Sequence, residues 1–189
     1  VKSCKEGLVF KSEKWYCLDE KIKNSYKSPI NDPIQAQFEV EKALKEAIKI
    51  QSISDVPLGT FLSGGIDSSL ITALLQNQSK NKIKTFTIGF EDEDYNEASF
   101  SREVAKYIGT DHNEKILTDE DARSIIPYLS SIYSEPFADS SQIPTHLVCK
   151  EAKLNELTVA LSGDGGDESF GGYNRYFIGG GIWNRLNKI

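Results

Sequence analysis

Two short glycine-bearing acidic stretches carry most of the chemistry available to this chain. They are Ser63-Gly64-Gly65-Ile66-Asp67-Ser68-Ser69 and Ser162-Gly163-Asp164-Gly165-Gly166-Asp167-Glu168. The first follows an apolar run, Val56 to Leu62, and leads into Leu70, Ile71, Leu74 and Leu75 at helical spacing. Strand, glycine turn and helix together aim unpaired backbone N–H groups and the positive helix end at an anion. Gly64 and Gly65 let the backbone bend and approach a phosphate with no Cβ in the way. Ser63, Ser68 and Ser69 add hydroxyl donors, and Asp67 a carboxylate that suits a divalent cation. A carboxylate beside a phosphate makes sense chiefly with a metal between them. No lysine follows the second glycine, so this is not a Walker A loop. The pattern points to a pyrophosphate leaving through metal rather than to transfer of a γ-phosphate. The plainer alternative is a tight turn in which Asp67 or Ser68 caps a helix.

In the second stretch Asp164, Asp167 and Glu168 lie within one short segment, with flexible glycines between them. Acids this close repel one another unless solvent or a cation offsets the charge. An exposed acidic turn and a metal site both fit that pattern. Taken with Asp67, the pair Asp67 and Asp167 could hold Mg²⁺ against a triphosphate.

The elements that must position these loops alternate. Thr85 to Phe90 is a β-branched and aromatic run ending in the acidic loop Glu91-Asp92-Glu93-Asp94. Phe100, Val104, Ala105 and Ile108 mark a helix that Gly109 stops, and His112 to Leu117 forms a weaker strand. Thr118-Asp119-Glu120-Asp121 reads as a capping box, with Ala122, Ile125, Ile126, Leu129 and Ile132 on the buried side. Pro144 opens a further helix carrying Leu147, Val148 and Ala152, and Leu157 to Leu161 is the last strand. This order predicts an α/β fold, a mostly parallel twisted sheet with helices on both faces. Ligands of such sheets sit at the carboxyl ends of strands where strand order reverses, and both glycine turns fall at strand ends.

Ahead of that unit, residues 1–31 read as a tail. Leu8 to Phe10 and Lys14 to Leu18 suggest a hairpin across Lys11-Ser12-Glu13, and the lysine-rich stretch from Asp19 to Asn31 a linker. Asp32-Pro33 opens a helix whose Val40, Ala43, Leu44, Ala47 and Ile48 form one apolar stripe. The chain has 189 residues, enough for one domain with a proper core, and 39% hydrophobic and 26% charged residues, ordinary for a globular protein. A net charge of −6 argues against general binding to nucleic acid or membrane surfaces. No apolar run approaches the roughly 20 residues of a spanning helix. Cys4, Cys17 and Cys149 make neither a disulfide framework nor a metal pattern and fit a reducing cytoplasm. With Val at position 1 and no methionine, the sequence reads as a segment of a longer protein.

Val56-Pro57-Leu58-Gly59 leading into the first loop resembles the pyrophosphate loop of N-type ATP pyrophosphatases. Joined to the second loop and to Phe170-Gly171-Gly172-Tyr173, it resembles the synthetase domain of glutamine-dependent asparagine synthetases. Thr85-Phe86-Thr87-Ile88-Gly89-Phe90 and Gly109-Thr110-Asp111-His112 support the match, which covers roughly residues 34–176. The resemblance implies an adenine nucleotide alpha hydrolase-like fold at 32–189. It implies a two-step reaction in which aspartate is activated by ATP as β-aspartyl-AMP and ammonia then displaces AMP. It further implies that residues 63–69 and Gly163 meet the phosphates and nucleotide, and that the backbones of Leu62 and Ile88 meet adenine. On the same grounds Asp67 and Asp167 hold Mg²⁺, and Asp164 lies near the acyl-adenylate. The glutaminase domain that supplies ammonia in the family, and a phosphate-contacting lysine from its C-terminal part, have no counterpart in these residues. The 189 residues alone are therefore expected not to make asparagine. A homodimer is left open. Glu135 to Ser141 occupies the amino-acid-recognition region but lacks the threonine and arginine of some asparagine synthetases. A different acceptor carboxylate, as in β-lactam synthetases, and a non-catalytic nucleotide-binding module are the rival readings. His112 and His146 read as structural histidines, and Gly179-Gly180-Gly181 as a flexible exit.

Overall fold

The computed structural model describes residues 2–4, 7–9, 12–91, 96–136 and 138–186, so Asp92, Glu93 and Asp94 of the acidic loop lie outside the described residues. The chain divides into two compact units, Val1–Ala43 and Leu44–Ile189. In the first, β1 (Lys2–Cys4) and β2 (Gly7–Val9) pair antiparallel, with Ser3 opposite Leu8. The hairpin expected across Lys11-Ser12-Glu13 is therefore not the one that forms, because Leu8 pairs backward and residues 12–17 have no regular structure. The expected linker is in large part a helix, α1 (Leu18–Lys27), with Asp19 and Glu20 at its positive end. Its high lysine content hides a helical period, Leu18, Ile22 and Tyr26 recurring every fourth residue. Next, α2 (Pro33–Gln51) starts where the sequence puts it, with the Ile34 N–H donating to Asp32 Oδ1 at 3.0 Å.

The second unit continues with β3 (Leu58–Phe61), α3 (Ile66–Gln78), β4 (Lys84–Phe90), α4 (Ala98–Ile108), β5 (Asp111–Leu117), α5 (Asp119–Ile125) and α6 (Leu129–Ile132). It ends with α7 (Gln142–Leu154), β6 (Val159–Leu161), α8 (Gly166–Phe170) and α9 (Asn174–Leu186). Its four strands form one parallel sheet in the order β5-β4-β3-β6. Side chains alternate along each strand, so the sheet has two faces to cover. On one face Leu58 and Leu161 pack with Ile48 of α2, Leu74 and Leu75 of α3, and Ile83. On the other, Phe61, Phe86 and Ala160 pack with Val148 and Ala152 of α7, while Ile88 and Phe90 pack with Leu117, Ile125 and Leu147. Helices on both faces of a parallel sheet are what the alternation predicts.

Several details go beyond or differ from the sequence reading. Leu70 and Phe100, whose helical spacing marks α3 and α4, are 41% and 65% exposed, and hydroxyl residues Thr72 and Ser101 are buried on those helices instead. A threonine can go there because Thr72 Oγ1 meets Thr60 Oγ1 at 2.9 Å inside the core. The capping box forms as expected, the Asp121 N–H donating to Thr118 Oγ1 and the Thr118 N–H to Asp121 Oδ2. Its helix stops at Ile125, because Pro127 has no N–H to give and its ring crowds the preceding turn. The chain passes through a 3₁₀ turn into α6, leaving Ile126 and Ile132 exposed. Finally, residues 179–181 are not a flexible exit but lie within α9.

The topology positions the site. From β3 the chain steps outward through β4 to β5, then returns to lay β6 on the other side of β3. Strand order reverses between β3 and β6, and parallel register, Thr60 opposite Leu161, brings their carboxyl ends to the same edge.

Two measurements test this packing. Thr72→Val alone orphans the Thr60 hydroxyl and is expected to cost about 1–3 kcal/mol in urea unfolding. The double change Thr60→Val with Thr72→Val is expected to cost less than the single one, and equal or greater loss in the double variant contradicts it. The second concerns His112, whose Nδ1 lies 2.9 Å from Thr85 Oγ1 and whose buried Nε2 has no hydrogen-bond partner among the described residues. Burial pushes its pKa below the ordinary 6.5, Glu114 partly offsetting this and Arg102 adding to it. Between the lowered folded value and the ordinary one the unfolded chain binds more proton, so stability rises with pH through that window. It is expected to be complete above about pH 6.5 and to fall as the solution is acidified toward the folded value. His112→Gln should flatten that slope in pH-dependent melting.

Candidate nucleotide site

The two glycine loops leave the sheet side by side and wall one crevice of about 1010 Å³. Within the first loop Gly64 has φ +82°, and Gly65 is the N-cap of α3 with no side-chain cap. This decides against the capping alternative for Asp67 and Ser68, which stand inside the first helical turn. The Ser68 hydroxyl ties the loop instead, 2.9 Å from Ser63 Oγ and accepting the Ser63 N–H at 3.2 Å. A hydroxyl held this way braces the turn and leaves the first N–H groups of α3 without a side-chain cap.

The second loop is fitted against the first at van der Waals distance. A Cβ on Gly163 would stand 2.7 Å from the Ser68 backbone nitrogen, and one on Gly166 would overlap the Asp67 carboxylate. Only glycine allows so close a passage. Gly165 takes the left-handed conformation, φ +88°, and turns the chain into α8, where Asp167 and Glu168 stand in the first turn. Ser162 Oγ donates to Asp164 Oδ2 at 2.9 Å. The loop is thus more than an exposed acidic turn, although Asp164 itself is exposed.

Of the residues expected at the site, Leu62, Ser63, Gly65, Asp67, Ser68, Ile88, Gly163, Asp164 and Asp167 line the crevice. Gly64 and Ser69 do not: Gly64 packs on the backbone of Phe100 and Ser101, and the buried Ser69 hydroxyl has no partner among the described residues. The Leu62 backbone is held at its station, its N–H donating to Phe86 O at 2.9 Å while its carbonyl accepts from Thr87 Oγ1. Sequence reasoning missed Phe86, Glu97 and Thr145 as lining residues. Phe86 was recoverable, since it lies two residues from Ile88 on the same face of β4. Thr145 lies in the first turns of α7, whose sequence drew attention only to its apolar residues. The stretch 135–141, described except for 137, lines none of the crevice, whereas Pro144, Thr145 and Val148 do.

The donor set suits magnesium that arrives with phosphate. Asp67 and Asp167 offer hard carboxylate oxygens from two abutting loops, and Mg²⁺ characteristically takes one or two carboxylates plus substrate phosphates and waters. Among the described residues no group of three or more His, Cys, Asp or Glu could hold a metal by itself. Among the described lining residues there is no Lys, Arg or His, while Asp67, Glu97, Asp164, Asp167 and Glu168 bring negative charge, a setting that favours a polyphosphate accompanied by its own counterion.

A parallel α/β unit with a phosphate-type loop and helix at its strand-order reversal is the class that fold and crevice define. The family model described as Asparagine synthase matches residues 39–189, and the chain belongs to that family. The asparagine synthetase [glutamine-hydrolyzing] 1 of Bacillus subtilis is 41% identical over 138 residues, covering 73% of this chain and 22% of that protein. A putative asparagine synthetase [glutamine-hydrolyzing] 2 of Methanocaldococcus jannaschii is 42% identical over 152 residues, covering 80% of this chain and 29% of that protein. The chain therefore spans less than a third of the length of these two relatives. Among solved structures, an NH3-dependent NAD synthetase from Campylobacter jejuni superposes with a TM-score of 0.44 at 16% identity, over 64% of this chain and 54% of that one.

The contact between the loops gives a direct test. Gly166→Ala needs no unusual backbone angle but must displace the Asp67 carboxylate, whereas a Cβ on Gly179 meets nothing within 4 Å. Gly166→Ala is expected to weaken ATP binding in Mg²⁺ at least tenfold by calorimetry, and Gly179→Ala to leave it unchanged. Equal affinities for the two variants would contradict the arrangement.

Proposed function

We propose that the full-length protein makes asparagine from aspartate, ATP and ammonia, with this chain supplying the ATP-pyrophosphatase unit. The observation that carries the reading is the contact of Gly163 and Gly166 with Ser68 and Asp67, which joins both acidic loops in one crevice. Family membership and the names of the relatives support it. In the first step the β-carboxylate of aspartate attacks the α-phosphorus of ATP. The bond from that phosphorus to the β-phosphate oxygen breaks, giving β-aspartyl-AMP and pyrophosphate. Ammonia then attacks the acyl carbon, loses a proton, and AMP leaves.

The chain's own groups have assigned parts in this reading. The N–H groups and hydroxyls of the crevice-lining Ser63, Gly65 and Ser68 and of the first turn of α3 stabilise charge on the departing pyrophosphate, as preorganised donors do at a reacting phosphate. Leu62 and Ile88 seat adenine against the wall that Phe86 shares. Asp164, with one oxygen engaged by Ser162, faces the acyl-adenylate during ammonia attack. Asp67 and Asp167 would hold Mg²⁺, which, when bound, draws charge off the phosphates. Residues 1–31 connect this unit to a glutaminase domain that releases ammonia from glutamine, and the protein works in the cytoplasm. Among the described residues no helix is long and apolar enough to cross a membrane.

The test is product stoichiometry with the full-length protein and a panel of carboxylates. Aspartate is expected to give pyrophosphate, AMP and asparagine in equal amounts. Pyrophosphate release with another carboxylate only would reassign the acceptor, and none with any would leave a binding module. Asp67→Asn and Asp167→Asn should each lower kcat/KM by about a hundredfold or more. The 189-residue chain alone is expected to bind ATP with magnesium and to form no asparagine.

A further inference from the structure

Asp167 and Glu168 are adjacent acids that both line the crevice, and nothing in their chemistry says which should meet a cation. The segment that follows treats them differently. Gly171, at φ +73°, turns the chain back, and the Gly171 and Gly172 N–H groups both donate to the Asp167 carbonyl at 2.9 and 3.0 Å. This returns Gly172 onto the Asp167 side chain so closely that a Cβ there would overlap Oδ1. One residue on, the Tyr173 hydroxyl donates to Glu168 Oε1 at 2.9 Å. The Arg175 guanidinium stands 4.0 Å from the centroid of the Tyr173 ring, holding it by a cation–π contact. Among the described residues no hydrogen bond ends on the Asp167 carboxylate.

We propose that Gly171 to Tyr173 is a positioning strap that sorts the two acids, Gly172 seating the Asp167 carboxylate and Tyr173 tying Glu168, so that of this pair only Asp167 joins Asp67 at the pyrophosphate-bound cation. The inference rests on the nucleotide reading above. Gly172 and Tyr173 are positioning residues: they act through the acids and not on substrate. Glycine is required at 172 because any Cβ would push the carboxylate from its seat. Tyr173 is required because a carboxylate left untied beside Asp167 competes for the same cation and repels its neighbour.

The experiment compares equilibrium binding of two probes to the full-length protein, AMP and magnesium pyrophosphate, by calorimetry, with melting temperature as the check on folding. Gly172→Ala is expected to weaken magnesium pyrophosphate binding at least tenfold and leave AMP binding within twofold. Tyr173→Phe keeps the ring over Arg175, loses only the hydroxyl, and is expected to raise the Mg²⁺ concentration for half-maximal pyrophosphate binding about threefold or more. If Gly172→Ala does not fold, Tyr173→Phe decides alone. Equal losses for both probes, or no loss in either variant, overturn the strap while wild-type binding remains magnesium-dependent. If wild-type pyrophosphate binding is itself independent of Mg²⁺, the nucleotide reading fails instead, and the strap with it.

Discussion

The rest of this structure depends on a steric constraint. Two loops that begin far apart in sequence must pass within van der Waals contact, and they do so only because Gly163 and Gly166 carry no side chain where they cross Ser68 and Asp67. The glycines are thus needed for the meeting of loops more than for flexibility. Parallel pairing of β3 with β6 supplies the approach, and the covered sheet supplies the rigidity. If the loops stood a few ångströms apart, Asp67 and Asp167 would be two unrelated surface acids. With the loops in contact, both acids line one crevice, a setting that favours a polyphosphate accompanied by a cation.

That charge arrangement has a chemical logic. None of the described lining residues is cationic, which on the proposed reading favours a nucleotide accompanied by metal over a bare polyphosphate. On that reading neutral donors do the remaining work, among them the first turn of α3 and the braced hydroxyls of Ser63 and Ser68. Their hydrogen-bonding is set before ligand arrives, which is the condition under which dipoles stabilise developing charge most effectively.

Much of this was legible in the sequence, and the exceptions are instructive. The β-branched run Thr85 to Phe90 gave its strand, and Thr118 with Asp121 gave a capping box in the order required. The two loops could be named because glycine and acid at fixed spacing have few other uses. Other features depended on context. Leu70 and Phe100 have helical spacing yet face outward, since a period identifies a stripe but not how wide the sheet beneath it is. Thr72 looks polar in a list of residues and is buried because Thr60, on a different element, answers its hydroxyl. The helix α1 was hidden by lysines, and the break before α6 by giving Pro127 less weight than the apolar residues around it. Thr145 could not be assigned to the crevice until α7 was laid across the sheet.

The β3–β6 pairing also carries a lesson about timing. Leu58 lies beside Val159, about a hundred residues later, a separation that makes such parallel contacts slow to close. During synthesis the first loop leaves the ribosome long before its partner exists, and for that interval the chain holds an unfinished sheet with an open edge. On the proposed reading both loops are needed to grip nucleotide, so whatever free energy it contributes falls on the sheet once β6 has docked. The latest of the described strands thereby becomes the latch between the two loops.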